Sequence, residues 1–316
     1  MKVAICGVWH VHAGGYAKTA KELSEVIGVW EADSERKAKF AENHEIPAFD
    51  TFEDLLASDA EAVIVCSATD AHADHMVRIA EAGKHIFTEK VLALSDEDSE
   101  RIAEAVKKNN VNFVISLVWK YGPGPIMLKE IVDSGEIGTI NYFRFRNCHS
   151  GSSANWLPKH FYNAKECGGG AMIDLGAHGM YLTDWFCGVP DTYKSAFTNA
   201  CLNEDANAIN TDRVEDNAVT VMSYKNGCIA VNETGFVSMC YPGILEIGGE
   251  KGTLIWTGDS IIKRTLDTDK QAVEIPLDKS KAQPSPLKQF LTGNILPGCG
   301  IEEAKRLTHM MVEAYK

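Results

Sequence analysis

The chain has no Cys-x-x-Cys pair, no basic block, no apolar run long enough to span a membrane, no internal repeat and no low-complexity segment. Each absence narrows the possibilities. The cysteine count is nine, an odd number, at Cys6, Cys66, Cys148, Cys167, Cys187, Cys201, Cys228, Cys240 and Cys299. Without paired spacing or a signal peptide they read as reduced thiols, and the expected location is cytoplasmic. A net charge of −13 with no basic cluster argues against nucleic acid or another polyanion as partner. It leaves an anionic cofactor open, because that needs only a local helix terminus. Met1-Lys-Val-Ala-Ile-Cys-Gly7 is too short an apolar run for targeting or spanning, so no membrane contact is expected. What remains is the composition of an ordinary globular protein, and 316 residues suffice for two domains with a sizeable core.

Residues 1–118 alternate strand and helix. The pattern predicts strands over 3–6, 26–30, 62–66, 85–87 and 113–117, and helices over 13–23, 34–43, 52–57, 71–82 and 96–108. Strands alternating with helices of this length give a parallel, doubly wound sheet, the Rossmann arrangement. The first strand-to-helix turn reads Gly7-Val-Trp9-His-Val-His12, so only the first glycine of G-x-G-x-x-G is present. Trp9 stands where the backbone would approach a pyrophosphate most closely, and His12 takes the position that packs helix on strand. The helix start after a glycine turn is still an anion site. Glu31 ends the second strand, where a carboxylate accepts from adenosine ribose hydroxyls and disfavours a 2′-phosphate. Read blandly, Glu31 is one of many surface carboxylates. His10 and His12 form a His-x-His pair, but no acidic or cysteine partner is near in sequence. They read as loop histidines packing near a ligand, with no metal expected.

From residue 119 the pattern changes, and 119–316 forms a second domain of α+β type. Pro123 and Pro125 open a helix over 126–132. Strands are expected over 139–146, 218–223, 229–236, 244–247, 253–256 and 261–264, with Asn226-Gly227 as a hairpin turn. Strands in succession without helices between them indicate a large, mostly antiparallel open sheet. Its outer face needs a cover, and a homodimer or homotetramer through this sheet is the expected one. A final helix over 301–315 is free to pack back on the first domain.

Two stretches carry candidate chemistry. The run Lys84-His-Ile-Phe-Thr-Glu-Lys-Val-Leu-Ala-Leu94 reads as a strand delivering Lys90 to its carboxyl end, where open parallel sheets bind ligands. Lys90 is there either a functional group or a solvated charge. Gly168-Gly-Gly-Ala-Met-Ile-Asp-Leu-Gly-Ala-His178 reads as one helix running to Cys187-Gly188. Asp174 and His178 are spaced i, i+4 on one face, as a proton carrier with its tuning carboxylate or as a helix-stabilising ion pair. The glycines and small residues around them let something approach the backbone closely.

Taken together, Cys66-Ser-Ala-Thr-Asp-Ala-His72, Glu81-Ala-Gly-Lys-His-Ile-Phe-Thr-Glu-Lys90, Asp133-Ser-Gly-Glu-Ile-Gly138, the Gly168 to His178 run and Gly300-Ile-Glu-Glu-Ala-Lys-Arg-Leu-Thr308 resemble the Gfo/Idh/MocA family of NAD(P)-dependent oxidoreductases. These segments span nearly the whole chain in the family's order. The resemblance implies a Rossmann domain followed by an α/β domain whose open sheet forms the oligomer interface. It implies an enzyme acting on a sugar, inositol or related polyol with NAD, NADP being the less expected cofactor. Lys90 matches the lysine of the family's Glu-Lys-Pro motif, and Asp174 and His178 match its Asp-x-x-x-His pair. These three are the implied catalytic and substrate-binding residues, with His178 as proton acceptor, Lys90 on the same oxygen and Asp174 on a neighbouring hydroxyl; the roles of His178 and Lys90 are exchangeable. The implied cofactor contacts are Gly7, Trp9, His10, Val11, Glu31, Ser67, Thr69, His72, Glu89 and Lys90.

Two departures stand out: Glu-Lys-Pro is Glu-Lys-Val91 here, and Trp9 and His12 replace the glycine-rich loop. The segment Asn155-Trp156-Leu-Pro-Lys159-His160-Phe-Tyr162 suits a sugar, with Trp156 for a ring face and His160 for hydroxyls, or else it is ordinary loop packing. Trp119 and Lys120 are expected at the substrate as well. The reading is an NAD-dependent oxidoreductase passing hydride between a secondary alcohol of a sugar, glycoside or cyclitol and nicotinamide. One alternative is transient oxidation by bound NAD that cleaves glycosides. The other is a non-catalytic NAD- or sugar-binding regulator, which would keep full biological activity in Lys90→Ala.

Overall fold

The computed structural model describes residues 1–238 and 244–316, so Cys240 lies outside the described residues. The eight described cysteines are thiols. The chain divides into two compact units: Met1–Leu117 with Pro284–His309, and Val118–Gln283 with Met310–Lys316. Among the described residues no helix is long and apolar enough to cross a membrane.

In the first unit, β1 (Lys2–Cys6), α1 (Ala13–Leu23), β2 (Glu25–Trp30), α2 (Ser34–His44), α3 (Phe52–Ala57), β3 (Ala62–Val65), α4 (His72–Glu81), β4 (His85–Thr88), α5 (Asp96–Lys108) and β5 (Phe113–Ile115) alternate as expected. The five strands are parallel in the order β2-β1-β3-β4-β5. Val3 to Cys6, Ala62 to Val65 and Ile86 to Thr88 are buried without interruption, which is why these strands read as apolar runs rather than alternations. The helices start on local chemistry. Asp33 accepts from Arg36 N–H at 2.8 Å, and Ser95 from Asp98 N–H at 3.1 Å. Thr51 and Asp54 form a capping box. The chain leaves β1 toward β2 on one side and places β3 on the other, so the carboxyl ends of β1 and β3 flank the topological switch point.

The second unit holds α6 (Pro123–Asp133), β6 (Ile140–Cys148), α7 (Ala164–Cys167), α8 (Ala177–Cys187), β7 (Thr192–Thr198), α9 (Glu204–Ile209), β8 (Asn217–Ser223), β9 (Ile229–Gly235), β10 (Ile244–Gly249), β11 (Gly252–Trp256), β12 (Ser260–Thr265) and β13 (Val273–Pro276). Eight strands form one sheet, β13-β12-β11-β10-β6-β9-β8-β7, antiparallel except for β6 beside β9. Asn226-Gly227 makes the expected hairpin between β8 and β9. The strands without a sequence signal, β7 and β13, are the two edges. Edge strands bury less, β7 has no fully buried residue, and β13 ends in a proline that an inner strand would not tolerate.

One face of this sheet is core: Phe143, Phe145, Ala230, Asn232, Leu245, Ile247 and Leu254 are fully buried. The other face carries Val219, Val221 and Ile229, each more than a third exposed. Beside them runs an ion network in which Arg144 and Arg146 reach Glu233 at 2.6 and 3.4 Å.

The expected single helix through Asp174 is not one α-helix. Ala164–Cys167 is a short helix closed by Gly168 at φ +81°, Met172–Gly176 is π-helical, and α-helix follows from Ala177. A run of glycine and small apolar residues fixes no helical register by itself. Here the neighbouring strand fixes it, as the site geometry shows.

Candidate functional site

In the first unit the site residues gather at the carboxyl ends of β1, β3 and β4. Gly7 has φ +79°, and a side chain there would come within 2.4 Å of Ser67 Cα, so only glycine lets the two strand ends close on each other. Gly7 N–H donates to Trp30 O at 2.7 Å and His10 N–H to Cys66 O at 3.0 Å, which fixes the loop to both neighbouring strands. Trp9 is buried, whereas Val11 is exposed. His12, the residue ahead of α1, makes no side-chain cap; Ala13 N–H donates to His10 O at 3.0 Å, so the anion capacity of this helix start lies with the N–H groups of Gly14 and Gly15.

Glu31 is no ordinary surface carboxylate. It is 5% exposed, and its Oε2 accepts from Val8 N–H at 2.8 Å. Oε1 accepts from Asp33 N–H at 3.0 Å and from Arg36 Nη2 at 3.1 Å. Glu31 thus joins the loop after β1 to the turn after β2. Arg36, which the sequence reading did not single out, sits on the same carboxylate.

Ser67 and His72 hold the β3 end together. Ser67 Oγ is bonded to His75 Nδ1 at 3.0 Å. His72 is buried, with Nδ1 3.0 Å from Val91 O and Nε2 3.1 Å from Ser67 O. It ties the loop after β3 to the segment following Lys90, a positioning task; burial lowers its pKa. Thr69 opens a short 3-10 turn ahead of α4 and is half-buried.

Glu89 and Lys90 follow β4, both buried, and the Lys90–Val91 peptide is cis. Glu89 Oε1 is 2.7 Å from His12 Nδ1 and accepts from the Tyr16 hydroxyl, while Oε2 accepts from Lys90 N–H at 3.1 Å. Burial works to raise the Glu89 pKa. The charge of His10, the hydrogen bond from His12 and the charge of Lys90 outweigh it and hold the carboxyl well below its ordinary value. His10 Nδ1 lies 3.8 Å from the same Oε1. Two histidines with no acidic neighbour in sequence therefore share one carboxylate delivered by another strand. Among the described residues these three form a group able to hold a metal ion.

In the second unit, His178 is buried in the first turn of α8, and its Nδ1 shares a 2.9 Å hydrogen bond with the Tyr181 hydroxyl. The same hydroxyl oxygen accepts from Trp119 N–H at 3.1 Å. Trp119 lies with its ring 6.1 Å from that of His178 and packs edge-on against Phe145 and Trp256. Lys120 is buried, its ammonium 5.4 Å from the Trp185 ring. Asp174 stands in the π-helical turn, half-buried, and its charge acts on His149. His149 stacks on Phe236 and meets the Trp156 ring at 4.6 Å; burial lowers its pKa against the pull of Asp174. Trp156 is 55% exposed. His160 is half-buried beside Phe161, with its carbonyl accepting from Cys167 Sγ.

Tyr181 and His149 were missed from sequence. Tyr181 carried a usable signal, since i, i+3 from His178 puts it on the same helix face. His149 carried none, because its partners come from other segments.

The glycines around Asp174 serve the protein's own packing. A side chain at Gly170 would sit 1.9 Å from Glu215 O, and one at Gly179 would sit 2.0 Å from Asn232 Oδ1. Glu215 Oε1 accepts from Gly170 N–H and Met172 N–H, each at 2.9 Å, and from the Tyr315 hydroxyl at 2.6 Å. Asn232 Nδ2 donates to Gly176 O at 2.7 Å. What approaches the backbone closely is therefore β9 and Glu215, two residues ahead of β8, and these contacts set the π-to-α junction between Asp174 and His178. Such π-turns recur at functional sites.

The chain belongs to the Gfo/Idh/MocA oxidoreductase family. Residues 1–116 match its model of an oxidoreductase NAD-binding Rossmann fold, and residues 126–255 match the GFO/IDH/MocA C-terminal domain. An uncharacterised oxidoreductase of Bacillus subtilis (strain 168), YrbE, is 28% identical over 233 residues, 72% of this chain and 65% of its own. The inositol 2-dehydrogenase of Salmonella typhimurium (strain LT2) is 33% identical over 144 residues, 44% of this chain and 43% of that enzyme. Each match spans less than two thirds of the relative's length. A solved levoglucosan dehydrogenase in complex with NADH and levoglucosan superimposes with a TM-score of 0.81 over 99% of this chain and 96% of that one, at 17% identity. That likeness speaks for the fold.

Proposed function

We propose that the chain is an NAD-dependent dehydrogenase that oxidises a secondary alcohol of a sugar, glycoside or cyclitol, or reduces the corresponding ketone. The observation that carries the reading is the buried imidazole of His178, held at Nδ1 by Tyr181 on the helix that follows Asp174. With Nδ1 bearing the hydrogen and donating to Tyr181, Nε2 is left with the lone pair that takes the alcohol proton. Lys90 hydrogen-bonds the alcohol oxygen and stabilises negative charge there. The roles of Lys90 and His178 are interchangeable on chemistry alone. Asp174 orients a neighbouring hydroxyl, Trp156 offers a ring face to the sugar, and Trp119, Lys120 and His160 complete the substrate set.

The residues of the first unit fit a dinucleotide. Gly7 lets the ends of β1 and β3 close on each other, His12 leaves the start of α1 without a side-chain cap, and Glu31 is fixed at the end of β2. Gly7 to Val11 with Ser67, Thr69 and Glu89 would hold it, and Glu31 favours NAD over NADP. When bound, NAD supplies the hydride acceptor.

The relatives' names support a carbohydrate or cyclitol substrate, since inositol 2-dehydrogenase and levoglucosan dehydrogenase are among them. We propose also that the face of the second sheet bearing Val219, Val221 and Ile229 pairs with another copy in a homodimer or homotetramer, to be checked by light scattering on a sizing column.

The test of function mixes the protein with NAD and a panel of sugars, inositols and glycosides, following NADH absorbance and product mass. NADH formed with one substrate and lost in His178→Ala is the expected result. Turnover without net NADH would instead indicate transient oxidation. Absence of both NAD binding and turnover refutes the enzyme reading.

A further inference from the structure

His10 and His12 lie on the loop between β1 and α1, and Glu89 follows β4, 77 residues beyond His12. One ligand atom of each lies within 4.8 Å of the other two. We propose that these three side chains bind a divalent transition cation of the zinc class, through two imidazole nitrogens and one carboxylate oxygen.

The spacing is close to what such a cation needs. Ligand atoms about 2.0–2.2 Å from a tetrahedral cation stand roughly 3.3–3.5 Å from one another. Glu89 Oε1 lies 2.7 Å from His12 Nδ1 and 3.8 Å from His10 Nδ1. These two separations reach the required value by a change of less than about 1 Å, and the two imidazole nitrogens lie within 4.8 Å of each other. His10 Nδ1 accepts from His12 N–H at the long distance of 3.3 Å, a contact that a cation on this nitrogen would replace.

The surroundings hold the ligands in place. Tyr16 donates to the metal-facing oxygen of Glu89 and is itself bonded to Ser116 Oγ at 2.8 Å; Lys90 N–H holds the other carboxylate oxygen. Outer partners of this kind orient a ligand before the metal arrives. Glu89 and His10 are 1% and 7% exposed, whereas His12 is 51% exposed, which gives an entry path and leaves room for water in the remaining coordination positions. Two imidazoles with a single carboxylate select zinc, cobalt or nickel over calcium and magnesium, which prefer all-oxygen sites. The site belongs to the first unit alone and needs no substrate; His10 and Glu89 are also among the residues proposed to hold the dinucleotide, so cation and NADH binding are measured apart.

The experiment uses the full chain, stripped with a chelator and dialysed, and titrated with Co²⁺ as a spectroscopic probe and Zn²⁺ as competitor. One equivalent of Co²⁺ is expected to bind, with the visible bands of nitrogen and oxygen ligation, no near-ultraviolet thiolate band, and displacement by Zn²⁺. Loss of a direct ligand is expected to cost at least the roughly tenfold to hundredfold that loss of an outer partner costs. Glu89→Gln tests the buried ligand. His12→Ala changes an exposed side chain and keeps the fold, as its melting curve will show. No binding below millimolar Co²⁺, a thiolate band that places the ion on cysteine, or unchanged affinity in a folded His12→Ala would each overturn the proposal. NADH binding is measured separately: a protein that takes the cation but not NADH keeps this site and loses the proposed function, and the converse loses only the site.

Discussion

Glu215 gives the sharpest test of how the second unit holds its candidate catalytic helix. A single oxygen, Oε1, accepts from Gly170 N–H, Met172 N–H and the Tyr315 hydroxyl, and the residue is 8% exposed. Glu215→Ala removes the acceptor from all three donors at once. A hydrogen bond to a charged group contributes about 1.5–3 kcal/mol net, and a buried donor left unpaired costs about 1–3 kcal/mol. The Tyr315 hydroxyl can rotate toward another acceptor whereas the two backbone N–H groups are fixed, so the latter dominate. The expected loss is therefore about 3–5 kcal/mol. For a unit of this size, about 2–4 °C of melting temperature accompanies each kcal/mol, which places the fall at roughly 6–20 °C. Glu215→Gln keeps a carbonyl oxygen in place and loses the charge, for an expected loss of about 1–2 kcal/mol. Differential scanning calorimetry resolves the result, because the transition that moves must be that of the second unit. An Ala variant melting within about 2 °C of the parent would mean that the glycine run does not depend on Glu215, and the account of the π-to-α junction would fail.

Other outcomes follow from single contacts. Tyr181→Phe takes away the Nδ1 partner of His178 and the acceptor for Trp119 N–H; at about 1–2 kcal/mol the expected fall in kcat/KM is roughly 5–30-fold on any substrate the panel identifies, with KM less affected than kcat. Glu31→Ala is expected to weaken NADH binding at least tenfold in a fluorescence titration, since it frees Val8 N–H and Arg36 as well as removing the ribose acceptor. His75 is held at a pKa of about 4, below its ordinary 6.5, by burial and then by the charge of His72. The unfolded chain thus takes up a proton that the folded chain refuses. Stability is full above pH 6.5 and falls as pH drops toward 4, by up to about 3 kcal/mol, and His75→Gln should flatten the decline seen in melts across that range. Gly179→Ala puts a methyl group onto Asn232 and should lower the melting temperature of the second unit by several degrees, at about 1–3 kcal/mol.

The first unit was legible because parallel strands are buried on both faces and announce themselves as apolar runs between helices. The second was legible in its inner strands for the related reason that one face is core. Its edges were not: Thr192–Thr198 alternates half-buried with exposed residues, and Val273–Pro276 is short and proline-ended. Motif positions such as Lys90, Asp174 and His178 could be read, because each motif is continuous in the chain. Their supporting contacts could not, because those arise between segments. Arg36 on Glu31, Asn232 on Gly176 and His149 beside Trp156 each join residues whose spacing encodes nothing.

The loop after β1 shows what such a hidden contact changes. Read along the chain, His12 in place of a small residue looks like damage to a dinucleotide loop. In the fold its ring leans out to Glu89, while Trp9 is buried. The residue beside Lys90 is thereby tied to the first turn of α1 by His12 and Tyr16 together. A glycine-rich loop leaves its strand ends joined only through backbone and bound cofactor, whereas this loop joins them through side chains in the protein alone. The substitution therefore moves ordering of the strand ends from ligand to sequence. It also leaves two imidazoles and a carboxylate in one place, an arrangement that no glycine loop can offer a cation.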